Sequence, residues 1–436
     1  MERLDHAKVA FCTLGCKTNQ YDTQSMKEQF ISRGYDVVDF DSLADVYVIN
    51  TCTVTNLADR KSRQAITKAN KKNPEAIIAV VGCYPQRAAA EVLSVPGVDI
   101  VAGTCERAKI VDLVEKHDKS RLLNAVGDIM MQTRFEEAPV NWHHEKTRAV
   151  LKIQDGCNQF CAYCIIPYVR GPVRSRNPAE ILKEANNLAA SGYREIVLTG
   201  IHIASYGKDL SDTNLLKLLS ELHSVQGIER IRLGSVDPQL LSLQFIKLAS
   251  ELPKLCPHYH ISLQSGSDRI LKLMNRGYTT AQYDDIVRIL RSNIPDVAVT
   301  TDVMVGFPGE TDKDFEDTLN FVNYIKFSRI HVFRYSDRQN TPAATFSDKV
   351  PQAVKDERGK KLIKLGEQLE ICYMETFLGK NVRVLVEDKC VQYENCVEGY
   401  TGNYIKVVIK SEVDLSGEVI TVKPHRIDKG AMFADL

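Results

Sequence analysis

The sequence AVLKIQDGCNQFCAYC, residues 149–164, places three cysteines directly after a run of residues typical of a β-strand. Cys157, Cys161 and Cys164 have the spacing C-x3-C-x2-C. Gly156 before this group and Pro167 after it favour a loop. Three thiolates in one short loop can bind three irons of a four-iron cluster and leave the fourth iron open.

Two simpler interpretations of these cysteines remain open. On a helix the same spacing would form an apolar stripe, in which cysteine packs as a small hydrophobic residue. A structural zinc would need a fourth ligand, and the nearest histidines, His143 and His144, lie upstream. The polar residues Asn158 and Gln159 between the cysteines favour a loop over an apolar helical stripe. The open iron–sulfur site is therefore the preferred interpretation.

Strand-like runs alternate with helical patterns on both sides of this loop, which indicates parallel α/β architecture. Downstream, six β/α units predict a partial (β/α)6 TIM-like barrel. Upstream, four such units predict a parallel-sheet α/β domain, and after residue 373 short strands with Gly and Asn turns predict a small β-barrel. The expected boundaries are an N-terminal domain at 1–118, a linker at 119–145, the barrel at 146–372 and the β-barrel at 373–436.

A second group of cysteines is dispersed along the N-terminal domain. Cys16, Cys52 and Cys83 each follow a candidate strand, in the segments TLGCK, NTCTV and VGCYPQ. Ligands of open parallel sheets bind outside the carboxyl ends of the strands, so these cysteines predict a second three-thiolate site. Cys105, after the fourth strand, is a possible fourth ligand or simply a residue at a helix start.

Composition limits the classes of function. The chain has 436 residues, 12 of them Cys, and its 56 Lys and Arg balance 56 Asp and Glu. A nucleic-acid partner would therefore have to meet local basic patches. The charged N-terminus is unlike a signal peptide, and we expect no membrane span and a cytoplasmic protein, in which clustered cysteines bind metal more often than they form disulfides.

The two cysteine groups and the segments around them resemble the methylthiotransferase family of radical S-adenosylmethionine (SAM) enzymes. The matching segments cover most of the chain and include TLGCKTNQYDT, DGCNQFCAYCIIPYVRG, EIVLTGIHIASYG, HISLQSGSD and FRYSDRQNTPAA. The resemblance implies two [4Fe-4S] clusters with SAM as cofactor, and a TRAM RNA-binding domain at the C-terminus. It also implies an electron donor of the flavodoxin or ferredoxin type and a sulfur donor.

The mechanism implied by the resemblance divides the work between the clusters. SAM bound at Cys157, Cys161 and Cys164 is cleaved to the radical that activates a C–H bond. The cluster on Cys16, Cys52 and Cys83 carries the sulfur that a second SAM methylates. These six cysteines would thus be both metal ligands and the catalytic centre.

The segments are most similar to the branch that acts on N6-threonylcarbamoyladenosine of tRNA, next to the anticodon at position 37. Isopentenyladenosine in tRNA and an aspartate of a ribosomal protein are alternative substrates within the family. A non-catalytic iron–sulfur RNA-binding regulator is the alternative from another class.

Further candidate residues follow the barrel strands, where barrel enzymes place their active sites. SAM-binding candidates are Tyr163, Gly200, His202, Ser235, Gln264 and Ser265, each of which could equally be a turn or capping residue. Arg334 and Arg338 could bind the carboxylate of the threonylcarbamoyl group, because Arg suits bidentate carboxylate recognition.

Two runs of basic residues without an acid lie beside the cysteine groups. Arg60, Lys61 and Arg63 follow the Cys52 loop, and Arg170, Arg174 and Arg176 follow the compact cysteine loop. Either run could be an ordinary solvated face. Their position next to both groups predicts contacts with tRNA phosphates.

Overall fold

The computed structural model describes residues 6–119, 121–138, 140 and 147–436, so His143, His144 and part of the linker lie outside the described residues. The N-terminal domain is a six-stranded parallel sheet in the order β2-β1-β3-β4-β5-β6. Its strands are β1 (Lys8–Thr13), β2 (Asp36–Val38), β3 (Val46–Thr51), β4 (Ile77–Gly82), β5 (Ile100–Ala102) and β6 (Leu123–Asn124). Its helices are α1 (Lys17–Ser32), α2 (Asn56–Lys72), α3 (Cys83–Leu93) and α4 (Ile110–Glu115).

The central domain confirms six parallel barrel strands, in two sheets of order β11-β10-β7 and β12-β13-β14-β15. Gly234 separates β11 from β12, so one chain segment joins the two sheets. The barrel strands are β7 (Arg148–Lys152), β10 (Glu195–Thr199), the two halves β11 (Arg230–Leu233) and β12 (Ser235–Val236) of one strand, β13 (His258–Ile261), β14 (Ala298–Val305) and β15 (Arg329–Arg334). A separate antiparallel pair is formed by β8 (Gln154–Asp155) and β9 (Arg174–Ser175). The helices are α5 (Ile166–Arg170), α6 (Pro178–Ala190), α7 (Leu215–His223), α8 (Leu243–Ser250), α9 (Asp268–Leu273), α10 (Thr280–Asn293), α11 (Asp312–Ile325) and α12 (Gln352–Glu375).

The alternation of side chains along the barrel strands separates an apolar layer from a polar lumen. On β10, Ile196 and Leu198 pack in the large core under the surrounding helices. Glu195 and Thr199 point the other way, as do Arg230 and Arg232 of β11, whose neighbours Ile231 and Leu233 belong to the core. The interior of the barrel is therefore lined by charged and polar side chains.

The C-terminal region is a six-stranded sheet in the order β19-β16-β17-β18-β21-β20, antiparallel except for the pair β18–β21. Its strands are β16 (Val382–Lys389), β17 (Cys396–Thr401), β18 (Lys406–Lys410), β19 (Val419–Val422), β20 (Arg426–Asp428) and β21 (Ala431–Asp435). Arg232 of the barrel donates hydrogen bonds to the carbonyl oxygens of Thr401 and Gly402, which holds this sheet against the barrel.

Two of the expected domain boundaries differ in the structure. Strand β6 lies inside the segment predicted as a linker and pairs with β5, because the chain returns to the sheet edge before it leaves the domain. Helix α12 runs past the boundary at 372, and its end contributes Met374 to the core of the C-terminal sheet. In the described part of the chain, no helix is long and apolar enough to cross a membrane.

Candidate active site

The three dispersed cysteines meet at one edge of the N-terminal sheet. Cys16, Cys52 and Cys83 come after β1, β3 and β4, which are neighbours in the sheet. Carboxyl ends of adjacent parallel strands lie side by side, so residues 16, 52 and 83 are brought together. The structure therefore confirms the convergence predicted from the strand–cysteine pattern.

Close approach of two loops explains the glycine before Cys16. Gly15 has a φ of +111°, and a Cβ atom at this position would lie 2.8 Å from the Cβ of Cys52. Only glycine lets the Cys16 loop approach Cys52 this closely. Burial, and then the neighbouring Cys83 thiol, raises the pKa of Cys52 to about 12, so metal binding there must displace protons.

The compact cysteine group lies in the loop between β8 and α5, as predicted. The backbone N–H of Gln159 donates to the sulfur of Cys157 at 3.4 Å. Nη1 of Arg276 donates to the sulfur of Cys161 at 3.2 Å. Burial, and then the Cys161 thiol, raises the pKa of Cys164 to about 12. Hydrogen bonds to sulfur favour the thiolate form that an iron cluster requires.

One cavity of about 490 Å³ is lined by both cysteine groups. Its wall includes Cys16, Cys52 and Cys83 from the sheet edge and Cys157, Cys161 and Cys164 from the barrel loop. Among the described residues, no group of three His, Cys, Asp or Glu side chains is placed to hold a single metal ion. Because each thiolate of a cubane binds a different iron, two three-thiolate groups on one cavity fit clusters rather than single ions.

Five of the six predicted SAM-binding residues line this cavity: Tyr163, Gly200, His202, Ser235 and Gln264. Ser265 does not line the cavity, which contradicts the expectation that it contacts SAM. Its side chain is 1% exposed and accepts a hydrogen bond from the backbone of Ser267, because its position in the chain turns it away from the cavity. Gln264 has a φ of +70°, a strained conformation that is common at binding sites.

His202 has a free nitrogen in this site. Nδ1 lies 2.6 Å from the hydroxyl of Ser205, whereas Nε2 is buried and has no hydrogen-bond partner in the described structure. Burial lowers the pKa of His202, so the ring is neutral. A buried polar atom without a partner costs free energy unless a ligand satisfies it. Gly200 also has a packing role, because a Cβ there would lie 2.9 Å from the carbonyl oxygen of Gln154.

The second basic run does not form a surface, so its predicted RNA contacts are wrong. Arg170, Arg174 and Arg176 have exposed fractions of 0%, 2% and 0%. Arg170 forms ion pairs of 3.1 Å with both Asp22 and Asp155, and Arg176 forms one of 2.7 Å with Glu184. Arg174 donates to backbone carbonyl oxygens.

The two arginines predicted to bind a substrate carboxylate are also engaged elsewhere. Arg334 forms an ion pair of 2.6 Å with Asp356 on α12. Arg338 is buried, forms an ion pair with Asp59 and donates to Asn56 at 2.6 Å. Neither lines the cavity. This expectation is therefore wrong, because acidic partners from other elements already occupy both guanidinium groups.

Of the first basic run, only two of the three side chains are free to contact RNA phosphates. Arg60 and Lys61 are exposed on α2, whose first turn follows the Cys52 loop. Arg63 is half-buried and donates to the hydroxyl of Tyr84 at 2.6 Å and to Glu91 at 3.2 Å. Cys105 does not line the cavity, which disfavours its role as a fourth ligand.

Sequence reasoning missed several residues of the cavity wall. Arg276 and Asp237 form an ion pair of 2.9 Å there, and Lys17 and Asn19 follow Cys16 on α1. Lys17 could have been found from the sequence, because it directly follows Cys16, a predicted residue of the site. The pairing of Arg276 with Asp237 leaves no local signal, because the two residues lie on different β/α units.

Comparison with known proteins agrees with this geometry. Residues 151–322 match the model of the Radical SAM superfamily, and residues 8–103 match that of Uncharacterized protein family UPF0004. The threonylcarbamoyladenosine tRNA methylthiotransferase MtaB of Bacillus subtilis is 46% identical over 96% of this chain and 93% of that protein. The tRNA-2-methylthio-N(6)-dimethylallyladenosine synthase of Pelotomaculum thermopropionicum is 37% identical over 95% of this chain and 94% of that protein.

A solved structure shares the fold. The radical SAM methyltransferase TsrM from Kitasatospora setae aligns with a TM-score of 0.58 over 78% of this chain and 77% of that chain, at 13% identity. The match of the barrel to the superfamily model and the identity to relatives over nearly their full length establish the relationship. The chain belongs to the methylthiotransferase family of radical SAM enzymes.

Proposed function

We propose that this protein converts N6-threonylcarbamoyladenosine at position 37 of tRNA to its 2-methylthio derivative. The observation that carries this proposal is the single cavity onto which both three-cysteine groups open. A sulfur carrier and a radical generator must act on the same substrate atom, and a shared cavity provides that proximity. The 46% identity to a relative named for this substrate supports the choice among the family's substrates.

Cys157, Cys161 and Cys164 would hold the [4Fe-4S] cluster of the radical SAM superfamily, with one iron left for SAM. Bound there, the cluster supplies the electron that cleaves SAM to methionine and a 5′-deoxyadenosyl radical. The protein's part is to position SAM and the substrate and to shield the radical from competing reactions. Arg276 and the backbone of Gln159 donate to the cysteine sulfurs and so stabilise their anionic form.

The residues on the barrel side of the cavity are suited to bind SAM. Nε2 of His202, which lacks a partner among the described residues, can hydrogen-bond a polar group of the cofactor. Ser235 begins β12, Gln264 follows the neighbouring strand β13, and both line the same cavity. Tyr163 packs against Phe307 with ring centroids 6.5 Å apart, which fixes the tyrosine ring at the wall.

Cys16, Cys52 and Cys83 would hold the second [4Fe-4S] cluster. Three thiolates would bind three irons, and Cys105, the candidate fourth ligand, does not line the cavity. The remaining iron would then be open to the sulfur to be transferred. Arg170, buried beside Cys83, offsets negative charge at this site. The electron, from a flavodoxin or ferredoxin type of donor, and the sulfur would both come from other proteins of the cytoplasm.

The tRNA would approach past the Cys52 loop. Arg60 and Lys61 are exposed on α2, and Val54 of the cavity wall is itself 46% exposed. Phosphates contacting these cations would place the anticodon loop at the mouth of the cavity. We assign the C-terminal sheet as a TRAM domain, and it stands beside the barrel through contacts of Arg232.

The proposal is tested with anaerobically reconstituted protein, reductant and SAM on three substrates. These are an anticodon stem-loop RNA with N6-threonylcarbamoyladenosine, the same RNA with N6-isopentenyladenosine, and the ribosomal protein. We expect the mass of a methylthio group to appear on the first RNA alone. Product on either other substrate would reassign the substrate, and a protein that makes no 5′-deoxyadenosine would be a non-catalytic regulator.

A further inference from the structure

The cations on the cavity wall differ in whether they have a carboxylate partner. Arg170 pairs with Asp22 and Asp155, and Arg276 pairs with Asp237. Lys17 also lines the cavity, and its side chain is exposed there. No carboxylate of the residues that the structure describes lies within ion-pair distance of its ammonium group.

The carboxylates nearest to Lys17 are already occupied. The ionisable groups whose charges act on its ammonium are Tyr404, Arg148, Arg232 and Glu195. Both oxygens of Glu195 accept from Arg232, at 2.7 and 3.3 Å. A second carboxylate in this region, Glu387, forms an ion pair with Arg148. A third carboxylate of the lumen, Asp302 of β14, pairs with His260 at 3.3 Å. Lys17 therefore adds a positive charge to a lumen in which these three carboxylates already have other partners.

The position of Lys17 connects the sulfur-transfer site with the barrel lumen. It begins α1 directly after Cys16, and its charge reaches His258 and His331 on the barrel strands. A base whose ring carbon faces the cysteine groups would extend its N6 substituent along this same cavity. Tyr404 of the C-terminal sheet is close enough to Lys17 for the two charges to interact, and it stacks on Tyr400 with centroids 5.0 Å apart.

We propose that Lys17 binds the carboxylate of the threonylcarbamoyl side chain and thereby selects this base over one with an uncharged N6 substituent. The inference rests on the function proposed above and replaces Arg334 and Arg338, whose guanidinium groups are already paired. A carboxylate that accepts from the Lys17 ammonium group forms a charge-assisted hydrogen bond, which is stronger than one between neutral groups. An uncharged substituent in the same place forms no ion pair with Lys17. The hydrogen bonds that the ammonium group loses to water are then not replaced, and binding is weaker.

The test compares two RNAs and three protein variants. One stem-loop carries N6-threonylcarbamoyladenosine, and the other carries its primary amide, which lacks only the negative charge. We expect the wild-type protein to bind the carboxylate RNA about tenfold or more tightly than the amide, as for a charged hydrogen bond. Lys17→Gln should lose most of this ratio, Lys17→Arg should keep part of it, and Lys247→Gln, on the outer helix α8, should keep all of it.

Each alternative source of an anion gives a different result. If Lys17 contacts an RNA phosphate, Lys17→Gln weakens the binding of both RNAs equally. The ratio of the two affinities then stays at its wild-type value. If it binds the carboxylate of SAM, the variant loses 5′-deoxyadenosine formation without RNA and again keeps the ratio. Either result overturns the inference. If the wild-type protein does not modify the carboxylate RNA at all, the proposed function fails instead.

A second measurement does not depend on the variant. In the wild-type protein, an amine-reactive reagent followed by peptide mass analysis reports whether Lys17 is covered. The carboxylate RNA should protect Lys17 and the amide RNA should protect it much less. Equal protection by the two RNAs would contradict recognition of the carboxylate, even if Lys17→Gln fails to assemble its iron.

Discussion

Arg170 donates a hydrogen bond from Nε to the sulfur of Cys83 at 3.3 Å, although the two residues lie 87 positions apart. Arg170 ends the short helix after the compact cysteine loop, and Cys83 belongs to the N-terminal sheet edge. The same guanidinium group pairs with Asp22 on α1 and Asp155 on β8. One fully buried side chain thus joins the two cysteine groups and fixes the domains that carry them.

The first prediction concerns this buried arginine. Arg170→Met should lower the thermal midpoint of unfolding by about 3 °C, because it removes a buried cation that both Asp22 and Asp155 bind, at a cost of about 3 kcal/mol. Arg288→Gln is the matched control, since Arg288 also pairs with two acids, Asp284 and Asp285, but is exposed. The control should shift the midpoint by about 2 °C or less. Equal shifts in the two variants would show that the network does not stabilise the domain contact.

The second prediction concerns iron content. Anaerobically reconstituted protein should hold about eight irons per chain if each cysteine group binds a four-iron cluster. Replacing Cys157, Cys161 and Cys164 by Ala should leave about four, and so should replacing the dispersed group. Cys372→Ala, at an exposed position of α12, should leave iron unchanged. A full complement of iron in either triple variant would contradict the ligand assignment.

The third prediction separates the roles of the two groups. A variant with Cys16, Cys52 and Cys83 replaced by Ala should still form 5′-deoxyadenosine from SAM, because the barrel loop and its SAM-binding wall remain. It should form no methylthio product, since the sulfur carrier is gone. Both products are measured in one anaerobic reaction. Loss of SAM cleavage in a folded variant that keeps about four irons would contradict this division.

The cysteine sites were predictable because their signal is local. Each dispersed cysteine follows a strand within a few residues, and the order of parallel strands then places Cys16, Cys52 and Cys83 at one edge. In the compact loop, the C-x3-C-x2-C spacing of the three cysteines is itself the signal. The fold of the barrel was predictable for the same reason, since each strand–helix unit has a pattern of its own.

The pairing of these arginines was not predictable, because it depends on how separate elements of the fold pack against one another. A basic run indicates a surface only when no acid is near, and Arg176 pairs with Glu184 on α6 and Glu137 in the linker. Arg338 pairs with Asp59, 279 positions away. The pair Arg338–Asp59 forms only when the two domains pack together, and a sequence pattern over a few residues contains no trace of it.

The last prediction concerns tRNA docking by the exposed end of α2. Arg60 and Lys61 are exposed and have no ion pair within the described structure, whereas Arg63 is bound by Tyr84 and Glu91. Arg60→Gln with Lys61→Gln should therefore weaken tRNA binding and reduce the log–log salt slope by about two, one for each phosphate contact. SAM cleavage without RNA should not change, because no residue of the cavity wall is altered. Lys217→Gln with Lys247→Gln removes the same charge from the outer helices α7 and α8 and should leave affinity and slope at their wild-type values. If both double variants bind equally well, the end of α2 is an ordinary solvated face, and the C-terminal sheet must supply the phosphate contacts.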